Sequence, residues 1–340
     1  MKPRGNSGSL LGLVAEAEAG LRDYFIHRPT QWWTEAREKL KDLPKTNFEL
    51  GCDFAQRGLY RDAILRFRFV LYLRPNYPLA WYNLGCCYYR NGDKAKAAPA
   101  LKKALAQQPD NRDALFMLSG LDPESVPQHL RPTRMPAEMV TGFFSLAAAN
   151  YDAFELANQY QGGQLVFDAL KPLLKVPSPV VVDFGCGTGI AARPWRATAK
   201  EITGIDLTPA MIAGAQTVVI GGQPLFERLV TADLTALGDA ITPASADLIL
   251  CVNTASYVGA LEALMASAAQ ALKPGGLIAI TTEPYAHGGA YGLSADTGRF
   301  GHSGAYVRAL AEKSGFITAR EQRIDLYPGI TSQLQVFTKS

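Results

Sequence analysis

Three aspartates stand at matching places in the middle of the sequence, each at the end of a short apolar run that predicts a β-strand. Asp183 follows three valines, Asp206 closes the next run, and Asp233 ends a third. The carboxyl ends of parallel strands meet at one edge of an open α/β sheet, where such sheets bind ligands. Because carboxylates accept hydrogen bonds from ribose hydroxyls in nucleotide folds, the pattern predicts a nucleotide-type site.

Glycines at positions 185, 187 and 189 follow the first aspartate. Glycine lets the backbone turn tightly and lets a ligand approach where a Cβ atom would collide. We therefore expect a strand, a glycine turn and the start of a helix, which together cradle a nucleotide. A dinucleotide fingerprint needs glycine at its first, third and sixth positions, and the sixth position from Gly185 is Ile190, which argues against a dehydrogenase.

The stretch 183–189 reads D-x-G-x-G-x-G and resembles motif I of the class I S-adenosylmethionine (SAM) methyltransferases. Residues 207–211, 246–254 and 272–280 resemble the post-I segment, motif IV and the "LKPGG" turn of the same class. The alternation of strands and helices predicts a parallel sheet. The resemblance implies a Rossmann-like α/β methyltransferase domain over residues 176–340, with a seven-stranded sheet whose last strand is antiparallel.

The same resemblance implies that SAM is the cofactor. Asp183 would lie beneath its ammonium group, Asp206 would accept from the ribose, and Asp233 would accept from the adenine amino group. A lone acid at a strand end is more often a helix cap or a solvated loop residue, but three at successive strand ends favour a binding site. The implied cofactor-binding residues are Tyr151, Asp183, Gly185, Cys186, Gly187, Gly189, Asp206, Leu207, Met211, Asp233, Leu234 and Asn253.

An internal repeat precedes this domain and resembles the tetratricopeptide repeat (TPR), with a period of about 34 residues. It predicts helical hairpins at about 45–78 and 79–112, with a partial third, in an all-α domain over residues 10–122. Because such stacks need about three units for a continuous core, helices within residues 10–42 are expected to cap one end. Two interpretations stay open: a groove for a peptide or protein partner, and a scaffold that supports the catalytic domain or a homodimer.

Residues 1–9 are rich in glycine and serine and predict a flexible N-terminus. Four prolines predict a linker at 123–136, and a helical lid is expected at 137–175. Residues 150–154 resemble the "YA..FD" segment of bacterial TPR-bearing methyltransferases of the trans-aconitate-methyltransferase-like type. In those enzymes this helix covers the methyl donor, which makes Tyr151 a candidate lid residue. The alternative is an aromatic side chain that fills a packing gap.

Residues 298–308 resemble the "GRYAHS..Y" segment of the same group. His302 is the candidate general base, because an imidazole of near-neutral pKa can take a proton from a hydroxyl. The alternative is a loop histidine that holds the backbone by hydrogen bonds. A carboxylate acceptor needs no base, and Arg299, Tyr306 and Tyr257 would then position it, with Arg299 suited to a bidentate grip. For Arg299 the alternative is a surface ion pair.

The composition excludes several function classes. The 340 residues carry a net charge of +3, which is too small to imply nucleic acid or an anionic membrane as partner. The five cysteines show no metal-binding spacing, and no run of about 18 apolar residues predicts a membrane span. We therefore expect a cytoplasmic protein with reduced cysteines and no metal.

The leading hypothesis is a SAM-dependent methyltransferase that acts on an oxygen, or a nitrogen, of a small-molecule or natural-product-type acceptor. A different class of function stays open beside it. In that alternative the TPR domain is an adaptor whose protein partner is methylated, or the chain only senses SAM.

Overall fold

The computed structural model describes residues 42–340 of the chain. The predictions of a flexible N-terminus at 1–9 and of capping helices within 10–42 lie outside the described residues. The chain divides into two compact units, Met1–Pro109 and Asp110–Ser340. Within residues 42–340, no helix is long and apolar enough to cross a membrane.

The described part of the first unit consists of helices that pack as two consecutive hairpins, α1 with α2 and α3 with α4. Their bounds agree with the two predicted repeats. The helices are α1 (Leu43–Gln56), α2 (Tyr60–Leu73), α3 (Pro78–Arg90) and α4 (Lys94–Gln107).

Two glycines explain how closely the helices of each hairpin approach. A Cβ atom at Gly51 would lie 2.8 Å from the Phe67 ring, and one at Gly85 would lie 2.8 Å from the Leu101 side chain. Phe67 and Leu101 are fully buried, so a larger residue at either glycine would displace the hairpin core. Because the two glycines occupy equivalent positions of the two repeats, the same packing solution occurs twice.

Helix α5 (Arg112–Leu121) falls at the predicted partial third repeat, yet it belongs to the second unit. The centroid of its buried Phe116 ring lies 5.9 Å from that of the Phe300 ring, in an edge-to-face arrangement. Such aromatic pairs add to the apolar area that they bury. The unit boundary therefore precedes α5 and does not coincide with the predicted linker at 123–136.

The second unit is a large sheet with helices on both faces. Its other helices are α6 (Ala137–Ala147), α7 (Tyr151–Ala157), α8 (Gly162–Leu170), α9 (Pro209–Gln216), α10 (Glu262–Ala271) and α11 (Gly304–Lys313). Its strands are β1 (Val180–Phe184), β2 (Glu201–Asp206), β3 (Val219–Ile220), β4 (Gln223–Pro224), β5 (Arg228–Thr231), β6 (Ala246–Cys251), β7 (Leu272–Pro284), β8 (Tyr291–Leu293), β9 (Phe300–His302), β10 (Phe316–Tyr327) and β11 (Ile330–Lys339).

The strands of the main sheet follow the order β10-β11-β7-β6-β1-β2-β5. Strands β5, β2, β1, β6 and β7 are parallel, whereas β11 is antiparallel to both of its neighbours. The predicted fold class, a Rossmann-like sheet of seven strands with an antiparallel last strand, is therefore confirmed. The short strands β8 and β9 extend β7 outside this path.

Strand β1 shows why the central strands are apolar throughout. Val181 packs into a cluster with residues of α8 and α9, and Val182 and Phe184 pack into another with residues of α10 and α11. A strand that is covered on both faces has no solvent side, so it reads as a continuous apolar run. This burial places the carboxyl end of β1 in the middle of the sheet edge.

The described chain contains no α-helix directly after the glycine turn, so the predicted helix start is wrong. Residues 185–200 form turns, with one short 3-10 helix at Arg193–Trp195. Pro194 has no backbone N–H to give to a helix, and the buried Trp195 anchors the segment in the core. Any ligand at this turn therefore meets turn amides and not a helix N-terminus.

Candidate active site

A cleft lies at the carboxyl edge of the parallel strands, with a volume of about 1000 Å³ that includes its open mouth. Ligand pockets span about 300–1000 Å³. All the predicted cofactor-binding residues line it except Asp183 and Gly189. The lining residues are Arg134, Met135, Ala137, Val140, Phe144, Tyr151, Tyr160, Gly185, Cys186, Gly187, Ile190, Ala191, Asp206, Leu207, Met211, Asp233, Leu234, Thr235, Val252, Asn253, Thr254, Tyr257 and Val258.

The three glycines after β1 have different tasks. Gly185 and Gly187 have φ angles of +75° and +53°, which favour glycine, and both face the cleft. A Cβ atom at Gly185 would lie 2.3 Å from Thr254, whereas one at Gly187 would meet only Tyr151, at 3.8 Å. Gly189 does not line the cleft, and a Cβ atom there would lie 2.5 Å from Leu225. Gly189 is therefore needed for packing.

Asp183 lies beneath the glycine turn and is only 1% exposed. Its Oδ2 atom has no hydrogen-bond partner among the described residues. Burial, together with the neighbouring charge of Asp206, raises the pKa of Asp183 to about 8. A buried carboxyl group in this state gains from a cationic partner, which would restore its ionised form.

Asp206 is held at the end of β2 by backbone amides. Its Oδ2 accepts from the Gly187 amide at 2.9 Å, and its Oδ1 accepts from the Thr208 amide at 2.8 Å. Burial raises the pKa of Asp206, although these hydrogen bonds act in the opposite direction. The carboxylate is thus pre-oriented at the cleft wall, tied to the turn that follows β1.

Asp233 lies in the loop after β5 and forms an ion pair that was not predicted from the sequence. Arg134 donates to its Oδ2 at 2.6 Å, and the Thr235 amide and hydroxyl donate to its Oδ1. Burial raises the pKa of Asp233, but the hydrogen bonds from Thr235 and Arg134 outweigh it and leave the pKa below its usual value. Arg134 lies in the predicted linker, where neither periodicity nor a motif marks it.

The segment predicted as a lid, residues 137–175, comprises α6, α7 and α8, and aromatic side chains of α6 and α7 line the cleft. The Phe144 ring lies 6.1 Å from that of Tyr151 and 5.3 Å from that of Tyr257, edge to face in both cases. Burial and the nearby Glu155 carboxylate raise the pKa of Tyr151 well above its usual value, so the phenol stays protonated. Tyr151 therefore lines the cleft as predicted, within an aromatic group.

Asp152 ties α7 to the glycine turn. Its carboxylate accepts from the Thr188 hydroxyl and forms an ion pair with Arg193. The lid and the glycine turn are thereby fixed to each other by side chains that the sequence does not mark.

Arg299 stands behind the cleft wall. It pairs with Glu283 at 2.9 Å, donates to Ser256 and Asn253, and lies over the Tyr257 ring, 5.1 Å from its centroid. Asn253 has a φ of +59° and lines the cleft, so Arg299 acts on it from behind. The observed ion pair is internal, in contrast to the surface pair considered from the sequence.

His302 and Tyr306 do not line the cleft in the described part of the chain. His302 is 0% exposed, and its Nε2 lies 2.9 Å from the Val258 carbonyl oxygen and 3.1 Å from that of Gly259. Because carbonyls only accept, Nε2 carries the proton, and burial lowers the pKa of this imidazole. This geometry agrees with the alternative of a histidine that holds the backbone.

Tyr306 packs flat beside His302, with ring centroids 6.3 Å apart. Its hydroxyl accepts from the Leu261 amide at 2.9 Å and donates to Glu262 at 3.1 Å. Both hydrogen bonds tie α11 to the start of α10. The structure thus brings most of the predicted cofactor residues together at the cleft. None of the three predicted catalytic side chains lines it: Arg299 contacts the lining residues Asn253 and Tyr257 from behind, and His302 and Tyr306 are held by other contacts.

Comparison with known proteins gives two matches to family models. Residues 182–280 match the methyltransferase domain, and residues 48–119 match the tetratricopeptide repeat. Both matches agree with the methyltransferase domain and the TPR repeats that the sequence predicts.

Several curated proteins are similar to part of this chain. The malonyl-(acyl-carrier protein) O-methyltransferase of Pseudescherichia vulneris is 31% identical over 143 residues, which cover 42% of this chain and 53% of that protein. The demethylmenaquinone methyltransferase of Tropheryma whipplei (strain Twist) is 30% identical over 138 residues, or 40% and 56% of the two chains. The ubiquinone biosynthesis O-methyltransferase of Rhizobium etli (strain CIAT 652) is 31% identical over 114 residues, or 32% and 44%.

The chain spans about half the length of the curated relatives that it matches. Among solved structures, the 1,6-didemethyltoxoflavin-N1-methyltransferase of Burkholderia thailandensis is 18% identical with a TM-score of 0.48. That alignment covers 62% of this chain and 92% of the other.

Proposed function

We propose that the chain transfers the methyl group of SAM to an oxygen of a small-molecule acceptor. The observation that carries the proposal is a cleft lined by the glycine turn and Asp206, with the buried Asp183 beneath that turn, within the segment that matches a methyltransferase domain. None of these groups alone would distinguish a cofactor site from ordinary packing.

The residues of the cleft fit SAM in three respects. At Gly187 a Cβ atom would meet only Tyr151, at 3.8 Å, so the turn backbone borders open space that a ligand can occupy. The unpartnered Oδ2 of Asp183 would be neutralised by the ammonium group. Asp206, fixed by two backbone amides, presents its carboxylate for the ribose, and Asp233 with Leu234 would take the adenine.

Bound SAM supplies a methyl group made electrophilic by a sulfonium. The chain itself has to hold the acceptor in line with that methyl group and to exclude water. Phe144, Tyr151 and Tyr257 surround the cleft with aromatic rings, and the faces of such rings suit a cation. These side chains therefore serve orientation and exclusion of water more than proton transfer.

Two of the curated relatives are named O-methyltransferases, which supports oxygen as the methylated atom. Because the Nε2–H of His302 already faces two carbonyls, we favour an acceptor oxygen that is ionised before it binds, such as a carboxylate. Such an acceptor needs no protein base, and Tyr257 at the cleft wall would help to position it. The finer assignment to the trans-aconitate-methyltransferase-like group rests on residues 150–154 and 298–308.

The test combines binding with transfer. S-adenosylhomocysteine (SAH) should raise the melting temperature of the wild-type chain, and NAD should not, because only a ligand of the folded state stabilises it. Asp206→Asn should abolish the shift, while Asp168→Asn, at an exposed position on α8, should keep it. Labelled SAM incubated with a cell extract and the protein should then mark a small molecule. If SAH leaves the wild-type melting temperature unchanged, the proposal is wrong.

A second candidate is a protein acceptor recruited by the repeats, which the TPR match over residues 48–119 favours. The labelling experiment separates the two. Label that stays with macromolecules after gel filtration in denaturant would point to a methylated protein, and label in the small-molecule fraction supports the first proposal.

A further inference from the structure

Glu155 is a buried acid on the lid helix α7, and the proposed cofactor residues do not include it. It is only 4% exposed. Its Oε1 accepts from the Tyr327 hydroxyl at 3.2 Å, the Tyr151 hydroxyl lies beside the carboxylate, and Oε2 accepts no well-aligned hydrogen bond among the described residues. A buried carboxylate oxygen without a partner is costly, so its retention on a lid calls for a physical reason.

The side chain also lacks a counter-charge. None of the ion pairs found within residues 42–340 includes Glu155. The guanidinium of Arg299 is connected to it only through Asn253 and Tyr327, and that guanidinium already pairs with Glu283. Because none of the described residues pairs with this carboxyl group as a cation, a cation in the adjoining cleft would be attracted to its ionised form.

Glu155 lies next to residues that line the cleft. Tyr151, Tyr160 and Asn253 are among the lining residues. The Glu155 carboxylate contributes to the raised pKa of both tyrosines, after burial, and Asn253 donates to the same Tyr327 hydroxyl that donates to Glu155. The cleft also contains Asp233, which the proposed function assigns to the adenine and which already pairs with Arg134.

We propose that Glu155 gives the cleft its preference for the positively charged methyl donor over the product with a neutral sulfur. This inference rests on the proposed function. SAM carries two cationic centres, the ammonium and the sulfonium, and two buried carboxyl groups without cationic partners, Asp183 and Glu155, lie behind residues that line the cleft. SAH keeps the ammonium and loses the sulfonium charge, so the proposed interaction with Glu155 should differ between the two ligands while the ammonium interaction with Asp183 is common to both.

The consequence for turnover follows from the charge balance. An interaction with the sulfonium stabilises the bound donor more than the transition state, in which that charge is already decreasing. Glu155 therefore favours loading of the donor and release of the product, and it does not accelerate the methyl-transfer step. Glu155 is accordingly a positioning residue, whose negative charge acts on the bound ligand electrostatically, through the residues that line the cleft.

The experiment compares the affinities of three ligands by calorimetry in wild type, Glu155→Gln and Glu138→Gln. The ligands are SAM, SAH and sinefungin, in which a protonated amine replaces the sulfonium. A unit charge at roughly 7 Å and an effective dielectric of about 20 corresponds to between tenfold and a hundredfold in affinity. We expect Glu155→Gln to lower the affinity for SAM and for sinefungin at least tenfold, and the affinity for SAH less than twofold. Glu138→Gln, at an exposed position on α6, removes the same charge and should change none of the three affinities.

The other outcomes overturn the inference in different ways. If Glu155→Gln lowers the affinities for all three ligands equally, the residue shapes the lid or interacts with the ammonium group that they share. If no affinity falls, the charge of Glu155 has no measurable effect on the bound ligand. If the wild-type chain binds none of the three, the proposed function itself has failed, which is a separate result.

A second variant protects the test against misfolding of Glu155→Gln. Tyr327→Phe removes the hydroxyl that donates to Glu155 and leaves the charge in place. The ratio of SAM affinity to SAH affinity should then stay at its wild-type value or rise. A fall of that ratio toward unity in Tyr327→Phe would assign the preference to the hydrogen-bond chain and overturn the role of the charge.

Discussion

Binding of the proposed cofactor should release a proton from Asp183. In the unliganded chain the pKa of this buried carboxyl group is about 8. At pH 7 a group with this pKa is about nine-tenths protonated, and at pH 9 about one-tenth. An ammonium placed beside it favours the ionised form, so SAH should displace about 0.9 proton at pH 7 and about 0.1 at pH 9.

Calorimetry measures this number directly. At each pH, SAH is titrated in two buffers of different ionisation enthalpy, and the dependence of the observed heat on that enthalpy gives the protons released. Asp183→Asn should release close to none at either pH, because an amide mimics the protonated acid without a titratable proton. Equal release by wild type and Asp183→Asn, or no release by wild type at pH 7, would refute this account of Asp183.

The same pKa has a consequence for stability without ligand. An aspartate in an unfolded chain loses its proton near pH 4, whereas folded Asp183 keeps it to about pH 8. The folded state therefore binds more protons in this window, and the contribution of Asp183 to the unfolding free energy falls as the pH rises from about 4 to about 8. Asp183→Asn should lack this decline, which pH-dependent thermal unfolding would measure.

Two further predictions concern the glycine turn and the buried histidine. Gly185→Ala should destabilise the second unit by about 2–4 kcal/mol, from positive φ plus the clash with Thr254, whereas Gly187→Ala should cost about 1 kcal/mol, since only its φ is unfavourable. The unfolding transition that SAH shifts in calorimetry measures the stability of this unit. Equal losses of stability in Gly185→Ala and Gly187→Ala would contradict the packing argument. His302→Asn should reduce the free energy of unfolding of the same unit by about 1–3 kcal/mol, because the Val258 and Gly259 carbonyls lose their donor. It should leave SAH affinity within about twofold, and a large loss of affinity would place the histidine at the site.

Much of the fold is readable from the chain because it depends on local periodicity. The two TPR hairpins repeat the same glycine and large apolar positions, and the central strands are apolar because both of their faces are covered. The proposed cofactor residues were predictable for the same reason, since Asp206 closes β2, Asp233 comes shortly after β5, and the ends of parallel strands converge. Spacing along the chain is sufficient for inferences of this kind.

Partners far apart in the chain were not readable. Arg134 reaches Asp233 across 99 positions, and Glu155 meets Tyr327 across 172. No periodicity links such residues, because their contact depends on how the lid helices pack on the finished sheet. The same holds for His302, whose motif indicated catalysis but whose burial against two carbonyls is a property of the packed loop.

The amino-acid order by itself determined the repeats, the strand sequence and the glycine turn with its acids, because these depend on residue type and on periods of a few residues. Tertiary packing decided which ionisable groups face the cleft, which are neutralised, and that α5 belongs with the sheet. The physical reason is that burial and charge pairing are set by neighbours in space. Asp183 and Glu155 acquire their roles only when the folded chain removes water from around them.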